Sequence, residues 1–277
     1  MRFATRAPAK LNLCLYVGPL RPDGLHELRS VFQPITLADE VALEPAPGSP
    51  ADEVVCPGVE GPNLAAAALH AFRERFAWDG PPVAITIEKH IPVAAGLGGG
   101  SADAAAVLRL AAAASGIRPA ERDLADLAMS LGADVPSQLA PRPALVTGAG
   151  EHVEPVAART VTGVLLAGRG ALSTPRVYAR ADELGTPRAS LEDVDTEAFH
   201  NDLQEAAVDL EPSAKHALAL LEARGASAAL VSGSGPAAFG LFEDPDTVAR
   251  DLAKRWRGLT AAFESAPAGY ADVRSAS

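Results

Sequence analysis

The segment Pro92-Val-Ala-Ala-Gly-Leu-Gly-Gly-Gly-Ser-Ala-Asp-Ala104 sets four glycines within positions 96–100, directly ahead of an alanine-rich run. Glycines at this density allow backbone angles and close approaches that side chains forbid. A helix opening after them would offer unpaired N–H groups and the positive end of its dipole, which is the chemistry of an anion site. Ser101 can cap that helix and donate to a phosphate oxygen, while Asp103, badly placed against an anion, is expected to point aside. The stretch is not a Walker loop, which ends in Gly-Lys-Ser/Thr. It carries Ser101 where a dinucleotide fingerprint wants its third glycine, and Gly233-Ser-Gly-Pro-Ala-Ala238 meets the looser form only ahead of a strand pattern. The bland alternative is a flexible linker, which sits badly between a strand and an Ala-rich helix.

Lysine is scarce, which gives each one weight. Only four of the 24 basic residues are Lys, at 10, 89, 215 and 254. Lys is a compact point charge where Arg is a planar fork, and a crowded phosphate site can prefer the former. Lys10 and Asn12 fall on one face of an alternating segment whose other face is Leu11, Leu13, Leu15 and Val17. Lys10 is thus either a charge aimed at a site or an edge-strand guard against aggregation. Asp134, between Gly132 and Pro136, lies where a helix has ended and the chain turns. It reads as a helix cap or as a carboxylate that accepts a hydroxyl proton.

These residues need elements to hold them. Besides the first strand, strand patterns appear at Val31–Leu37, Glu40–Glu44, Val83–Glu88 and Val161–Ala167, with Pro/Gly-rich turns between. Asn63 is an N-cap for a helix to about Phe76, and further helices are predicted over Ser101–Ser115 and Pro119–Leu131. Beyond residue 155 the texture changes. Helices are expected after Ser173-Thr174, over Asn201–Leu210, Ser213–Arg224 and Asp246–Arg257. Apolar runs at Ala228–Val231 and Ala237–Phe242 flank Ser232-Gly-Ser-Gly-Pro236, and a final strand precedes a tail, Ser275–Ser277, expected to be disordered. Strands and helices in separate blocks imply an α+β fold in two halves, residues 1–155 and 156–277.

Of the 277 residues 48% are hydrophobic, and the net charge is −11. That balance, without any block of Lys and Arg, argues against nucleic-acid or anionic-membrane partners. Cys14 and Cys56 offer neither a disulfide framework nor a metal spacing. Residues 1–10 contain no long apolar core and no apolar stretch approaches a membrane span, so a cytoplasmic protein without a secretory leader is expected.

Five motifs occur in order: Ala7-Pro-Ala-Lys-Leu-Asn-Leu13, Asp23-Gly-Leu-His26, Pro92 to Ala104, Leu131-Gly-Ala-Asp-Val-Pro136 and Ser232-Gly-Ser-Gly-Pro236. Together they resemble the GHMP small-molecule kinases over nearly the whole chain, and within them the branch that phosphorylates the 2-hydroxyl of a diphosphocytidyl-methylerythritol substrate in the non-mevalonate isoprenoid pathway. The resemblance implies an N-terminal half like domain 2 of ribosomal protein S5 and a ferredoxin-like C-terminal half. It implies ATP as co-substrate, Mg²⁺ with the nucleotide, and a small-molecule partner, a cytidyl diphosphate sugar alcohol.

By the same resemblance Lys10 and Asp134 are the catalytic pair. The nucleotide would lie on Pro92, Val93, Ala94, Ala95, Gly96, Leu97, Gly98, Gly99, Gly100, Ser101 and Ala102, with Asn63 and Lys89 near adenine and ribose. Asn12, Leu25, His26, Thr174 and Tyr178 would meet the other substrate, His26 at the cytosine ring. No metal ligand is expected from the protein, because no dense carboxylate cluster is visible. Two departures stand out. Leu25 replaces the tyrosine usual before that histidine, so the base loses a stacking ring there. Ser137-Gln138 stands where apolar residues usually follow the proline. The rival expectations are a kinase for a smaller alcohol, such as homoserine or a mevalonate-type substrate, and a non-catalytic nucleotide-binding protein.

Overall fold

The computed structural model describes residues 1–59 and 61–276. Its strands are β1 (Arg2–Leu20), β2 (His26–Pro45), β3 (Glu53–Val55), β4 (Val83–Glu88), β5 (Ala144–Gly148), β6 (His152–Pro155), β7 (Thr162–Ala167), β8 (His200–Asn201), β9 (Ala229–Val231), β10 (Ala238–Leu241), β11 (Leu259–Glu264) and β12 (Arg274–Ala276). Its helices are α1 (Leu64–Arg75), α2 (Gly99–Ser115), α3 (Glu121–Leu131), α4 (Val135–Gln138), α5 (Thr174–Leu184), α6 (Gln204–Leu210), α7 (Pro212–Ala223) and α8 (Pro245–Leu252). The fold is α+β, as the sequence implies.

An eight-stranded sheet runs β12-β1-β2-β4-β3, with β5 added beside β2, β6 beside β5 and β8 beside β1. A four-stranded sheet, β11-β7-β10-β9, forms the other half. The expected division after residue 155 falls between β6 and β7, yet β8 and β12 return to the first sheet, where they pair with β1.

β1 is the spine. Its register against β2 shifts between Pro8 and Lys10, between Asn12 and Cys14, and between Val17 and Leu20. Each shift re-aims the side chains that follow. Ala7, ahead of the first shift, enters the core under α1 and α2 with Leu69, Phe72 and Ile85. Leu11 and Leu13 enter the layer between the sheets with Ile91, Leu97, Phe239 and Phe263. Leu15 and Val17 pack with Val177, Leu203 and Val231 among the C-terminal helices. One strand feeds three cores.

Three expectations are corrected. The patterns at 31–37 and 40–44 belong to one strand, β2, because Asp39 is not a turn residue; it is fully buried and hydrogen-bonded. The helix expected from Asn201 begins at Gln204, since Asn201 pairs in β8 and its amide donates to the Val231 and Gly233 carbonyls. The tail expected to be disordered supplies β12 through residues 275 and 276, while Ser277 lies outside the described residues. Among the described residues no helix is long and apolar enough to cross a membrane.

Candidate active site

α2 forms where the sequence demands it. Its alanines have the highest helix propensity, and Gly116 ends it in the left-handed region at φ 72°. It starts two residues earlier than predicted. Gly98, at φ 69°, occupies the cap position, so Ser101 lies inside the first turn and is not the cap. The first intrahelical bond of this end runs from the Ala102 amide to the Gly98 carbonyl, and the amides before it have no intrahelical acceptor. These amides border a cleft of about 430 Å³. Ala94 is held at φ 54°, a conformation rare outside glycine.

The glycine loop is clasped by the C-terminal half. The Ser232 hydroxyl donates to the Gly96 carbonyl at 3.1 Å, and the Ala237 amide to the Ala95 carbonyl at 3.1 Å. At Gly96, φ 81°, an added Cβ would stand 2.2 Å from the Ser232 carbonyl oxygen, so only glycine fits. At Gly98 it would meet the Lys10 side chain at 3.1 Å.

Lys10 and Asp134 converge beneath this loop. The Lys10 amide donates to the Leu97 carbonyl at 3.0 Å, fixing β1 against it. Its ammonium lies 3.5 Å from Asp134 Oδ2, donates to Asn12 Oδ1 at 2.7 Å and sits 4.5 Å from the Phe32 ring centroid. Asn12 Nδ2 in turn donates to the Ser30 hydroxyl, which donates to the Cys14 carbonyl. Lys10 is 4% exposed, so a buried cation is orientated by a fixed amide and one carboxylate. Asp134 flanks α4 without accepting a cap hydrogen bond from it. Its carboxylate faces the lysine instead.

Lys89 borders the cleft, but its ammonium is held by two carboxylates, Asp39 at 2.5 Å and Asp103 at 2.6 Å. Asp39 also accepts from the His90 and Ile91 amides, tying β2 to the start of the loop. Burial opposes the Lys89 charge, yet the two carboxylates hold its pKa above the ordinary value. Burial pushes Asp103 up to about 7, with Asp39 adding to the effect and Lys89 opposing it. Asn63 caps α1 by accepting from the Ala65 amide and lines the same end, near Cys56 and Pro62.

At the other end Tyr178, Leu28, Thr174 and Ser234 line the cleft, and the Thr174 and Ser234 hydroxyls are 3.0 Å apart. His26 stands behind Tyr178, with ring centroids 5.6 Å apart at 27°, so the two rings meet each other directly. Nδ1 of His26 faces the Gly18 carbonyl at 2.9 Å and Nε2 the Asp182 carboxylate at 3.2 Å. Leu25 is 48% exposed at the hairpin tip. Neither Leu25 nor His26 lines the cleft, and neither does Ala102, which is buried in α2. All other site residues expected from the sequence do.

Asp39, Phe32 and Ser30 were not legible as site residues, whereas Gly233 and Ser234, from a motif that the resemblance set against the site, line the cleft. For Phe32 the signal exists only in the register, which sets it opposite Asn12. Ser137 and Gln138 are buried in α4, where the Ser137 hydroxyl donates to the Asp134 carbonyl. Among the described residues no group of three or more His, Cys, Asp or Glu could hold a metal ion. A metal that arrives on phosphate oxygens and keeps its waters is compatible with such a site.

Comparison with known proteins gives this geometry its context. Residues 63–141 match the model for the GHMP kinases N terminal domain and residues 187–258 that for GHMP kinases C terminal. The chain is 42% identical to a 4-diphosphocytidyl-2-C-methyl-D-erythritol kinase of Anaeromyxobacter dehalogenans over 263 residues, covering 87% of this chain and 81% of that one. It is 39% identical to the kinase of the same name from Streptomyces avermitilis, covering 99% and 100%. A crystal structure of 4-(cytidine 5'-diphospho)-2C-methyl-D-erythritol kinase superposes with a TM-score of 0.78 at 38% identity, over 94% of this chain and 98% of that one. A mevalonate kinase at 12% identity and TM-score 0.67, over 96% and 99% of the two chains, shares the fold alone.

Proposed function

The chain belongs to the GHMP kinases, and within them to the 4-diphosphocytidyl-2-C-methyl-D-erythritol kinases, and from that premise we propose that its cleft passes the γ-phosphate of ATP to the 2-hydroxyl of 4-diphosphocytidyl-2-C-methyl-D-erythritol. It is an ATP-dependent small-molecule kinase. The observation that carries the catalytic reading is the 3.5 Å approach of Lys10 Nζ to Asp134 Oδ2 beneath the glycine loop.

Phosphoryl transfer asks for positioning and charge neutralisation more than for a strong base. In this reading the triphosphate lies on the loop from Pro92 to Ala102, its oxygens taking the free amides of the first turn of α2. Mg²⁺ would arrive on the nucleotide and neutralise phosphate charge there, and Ser101 would offer it the hydroxyl of that turn. Asp134 accepts the proton of the attacking hydroxyl. Lys10, held by Asn12, faces the oxygens on which charge grows, where a preorganised cation is worth most. Lys89 acts here as a strut between Asp39 and Asp103 that shapes the adenine end, and Asn63 frames that end from the start of α1. Tyr178 offers its open face to the base, with His26 stacked behind it and Thr174 beside it. We also take residues 1–155 and 156–277 as the two functional halves, closing on the substrates from either side.

The test is substrate-dependent ADP release in a coupled assay, with the cytidyl substrate set against homoserine and mevalonate. Turnover with the cytidyl substrate at least about ten-thousandfold above either alcohol is expected, the scale on which a site built around polar groups rejects a ligand that leaves them unpaired. Preference for a small alcohol would transfer the reading to another GHMP substrate, and ATP binding without any ADP release would make this a non-catalytic binder. Leu25→Tyr serves as the internal control. Because Leu25 stands outside the cleft at the hairpin tip, KM for both substrates should stay within about twofold of the wild type.

A further inference from the structure

Arg109 lies on α2 outside the cleft and donates two hydrogen bonds, both to main-chain carbonyls. Nη1 reaches the Gln138 carbonyl at 2.6 Å, and Nη2 reaches the Arg6 carbonyl at 2.9 Å. Gln138 ends the single turn of α4, whose other flank is Asp134. Arg6 stands on β1 four residues before Lys10. One guanidinium therefore joins the two segments that carry the reacting pair to one rigid helix. From this geometry, together with the catalytic reading of Lys10 and Asp134 above, we infer that Arg109 is a positioning residue that sets the Lys10–Asp134 separation.

The alternatives available to α4 are few. Among the described residues, the other hydrogen bonds of 132–139 are local: Gly132 to Ala128, Val135 to Gly132, Leu139 to Pro136 and Ser137 to Asp134. The Lys10–Asp134 ion pair itself aside, the Arg109–Gln138 bond is the polar tie from this segment to the rest of the molecule. Val135 and Leu139 pack in the core beneath α2, which fixes depth but not the direction a carboxylate takes.

The arrangement is costly to hold. Burial pushes the guanidinium down to about 10, although Asp272 opposes the shift, and it stays a cation at neutral pH. Arg109 Nε and Gln138 Oε1 are both buried without partners. Around Arg109 the buried face of α2 is Ala104, Ala105, Ala106, Val107, Leu108, Leu110 and Ala111, so an apolar side chain would suit this part of the helix without stranding polar atoms. The segments it fixes, and not the core it interrupts, account for its presence.

The experiment measures kcat and both KM values for Arg109→Met and Arg109→Lys, alone and in the Asp134→Asn background. In the wild-type background Arg109→Met should lower kcat about tenfold or more and hold both KM values within about twofold, because neither substrate touches Arg109. Arg109→Lys, able to reach one carbonyl only, should recover part of the loss. In the Asp134→Asn background the same substitutions should cost clearly less in kcat than in the wild type, since the carboxylate is gone and only Lys10 is left to position. Loss by the same factor in both backgrounds, unchanged kcat in Arg109→Met, or a rise in KM in place of the fall in kcat overturns the inference. Should Arg109→Met fail to fold, Arg109→Lys carries the comparison by itself. If Asp134→Asn alone turns over like the wild type, the catalytic reading fails, and that outcome is distinct from a failure at Arg109.

Discussion

Replacing Asp134 by Asn keeps the size of the side chain and removes its charge and its capacity to take a proton. Since Asp134 makes no cap bond to α4, the local fold does not depend on it. Asp134→Asn should therefore keep the wild-type fold, with stability lowered by whatever the unpaired Lys10 charge costs, and lose at least about a hundredfold in kcat. Lys10→Met, which retains the aliphatic stem, should keep the fold and lose kcat on the same scale; a near-normal rate in either variant would remove that residue from the mechanism. Asp103 yields a pH dependence of defined sign. Its carboxyl is raised from 3.8 to about 7 in the folded state, by burial first and by the neighbouring Asp39 charge, against the pull of Lys89. The proton is thus bound more tightly by the folded chain than by the unfolded one. The resulting contribution to stability is complete below about pH 3.8, declines as the pH rises, and is gone above about 7. Urea unfolding of wild type and Asp103→Asn across this window should diverge steadily, the wild type losing ground with rising pH. A constant difference would show that Asp103 does not titrate there. The strand face of Lys10 and Asn12 and the turn at Asp134 were legible in the sequence, but pattern alone left Lys10 and Asp134 between a structural and a catalytic reading, and only the resemblance joined them as a pair. Asp39 was not legible, since an aspartate after Leu-Ala in a strand pattern looks like a turn, and only the fold shows Lys89 and two amides waiting for it.

At the level of elements, the glycines of the loop separate into two kinds that composition cannot distinguish. Gly96 faces the Ser232 carbonyl, with 2.2 Å available where a Cβ would go, and holds φ at 81°. Gly96→Ala must push the loop off the C-terminal half, so a stability loss of about 1–3 kcal/mol and loss of ATP binding are expected together. Gly100 has nothing within 4 Å of its notional Cβ and lies in the first turn of α2. Gly100→Ala should raise stability by about 0.5–1 kcal/mol, the ordinary gain from Gly to Ala in a helix. It should nevertheless raise KM for ATP, because the methyl group stands where the phosphates approach. Thermal unfolding and calorimetric titration with ATP check both variants, and a Gly96→Ala protein that binds ATP normally would refute the clasp. Most elements were readable from periodicity, among them β4, α1 and its Asn63 cap. The boundary errors share a physical origin. At Asn201 the side-chain amide bonds a distant segment, and at Gly98 the left-handed cap packs against Lys10 of β1; neither leaves a trace in local pattern.

Across the whole molecule, the division of the chain into two halves is less sharp than its change of texture suggests. β8 pairs with Cys14 and Leu15 of β1, and β12 pairs with its first residues, so the C-terminal half completes the N-terminal sheet. Leu11 and Leu13 from one half share a core with Leu165, Phe239 and Phe263 from the other. Asn201 bonds the Gly233 carbonyl, the Asp202 carboxylate accepts the Val17 amide, and the glycine loop is held by Ser232 and Ala237. With so much shared, neither half can lose its structure and leave the other intact. Calorimetric unfolding should give one transition whose van't Hoff and calorimetric enthalpies agree, the mark of a single cooperative unit. ATP, whose proposed site is chiefly in the N-terminal half, should then stabilise the entire chain. At a free concentration of 100 times its dissociation constant the gain is about 2.7 kcal/mol, spread over one transition moved to higher temperature. Two transitions, with ATP moving only one of them, would mean that the halves fold separately and that the cleft between them opens without strain on β1.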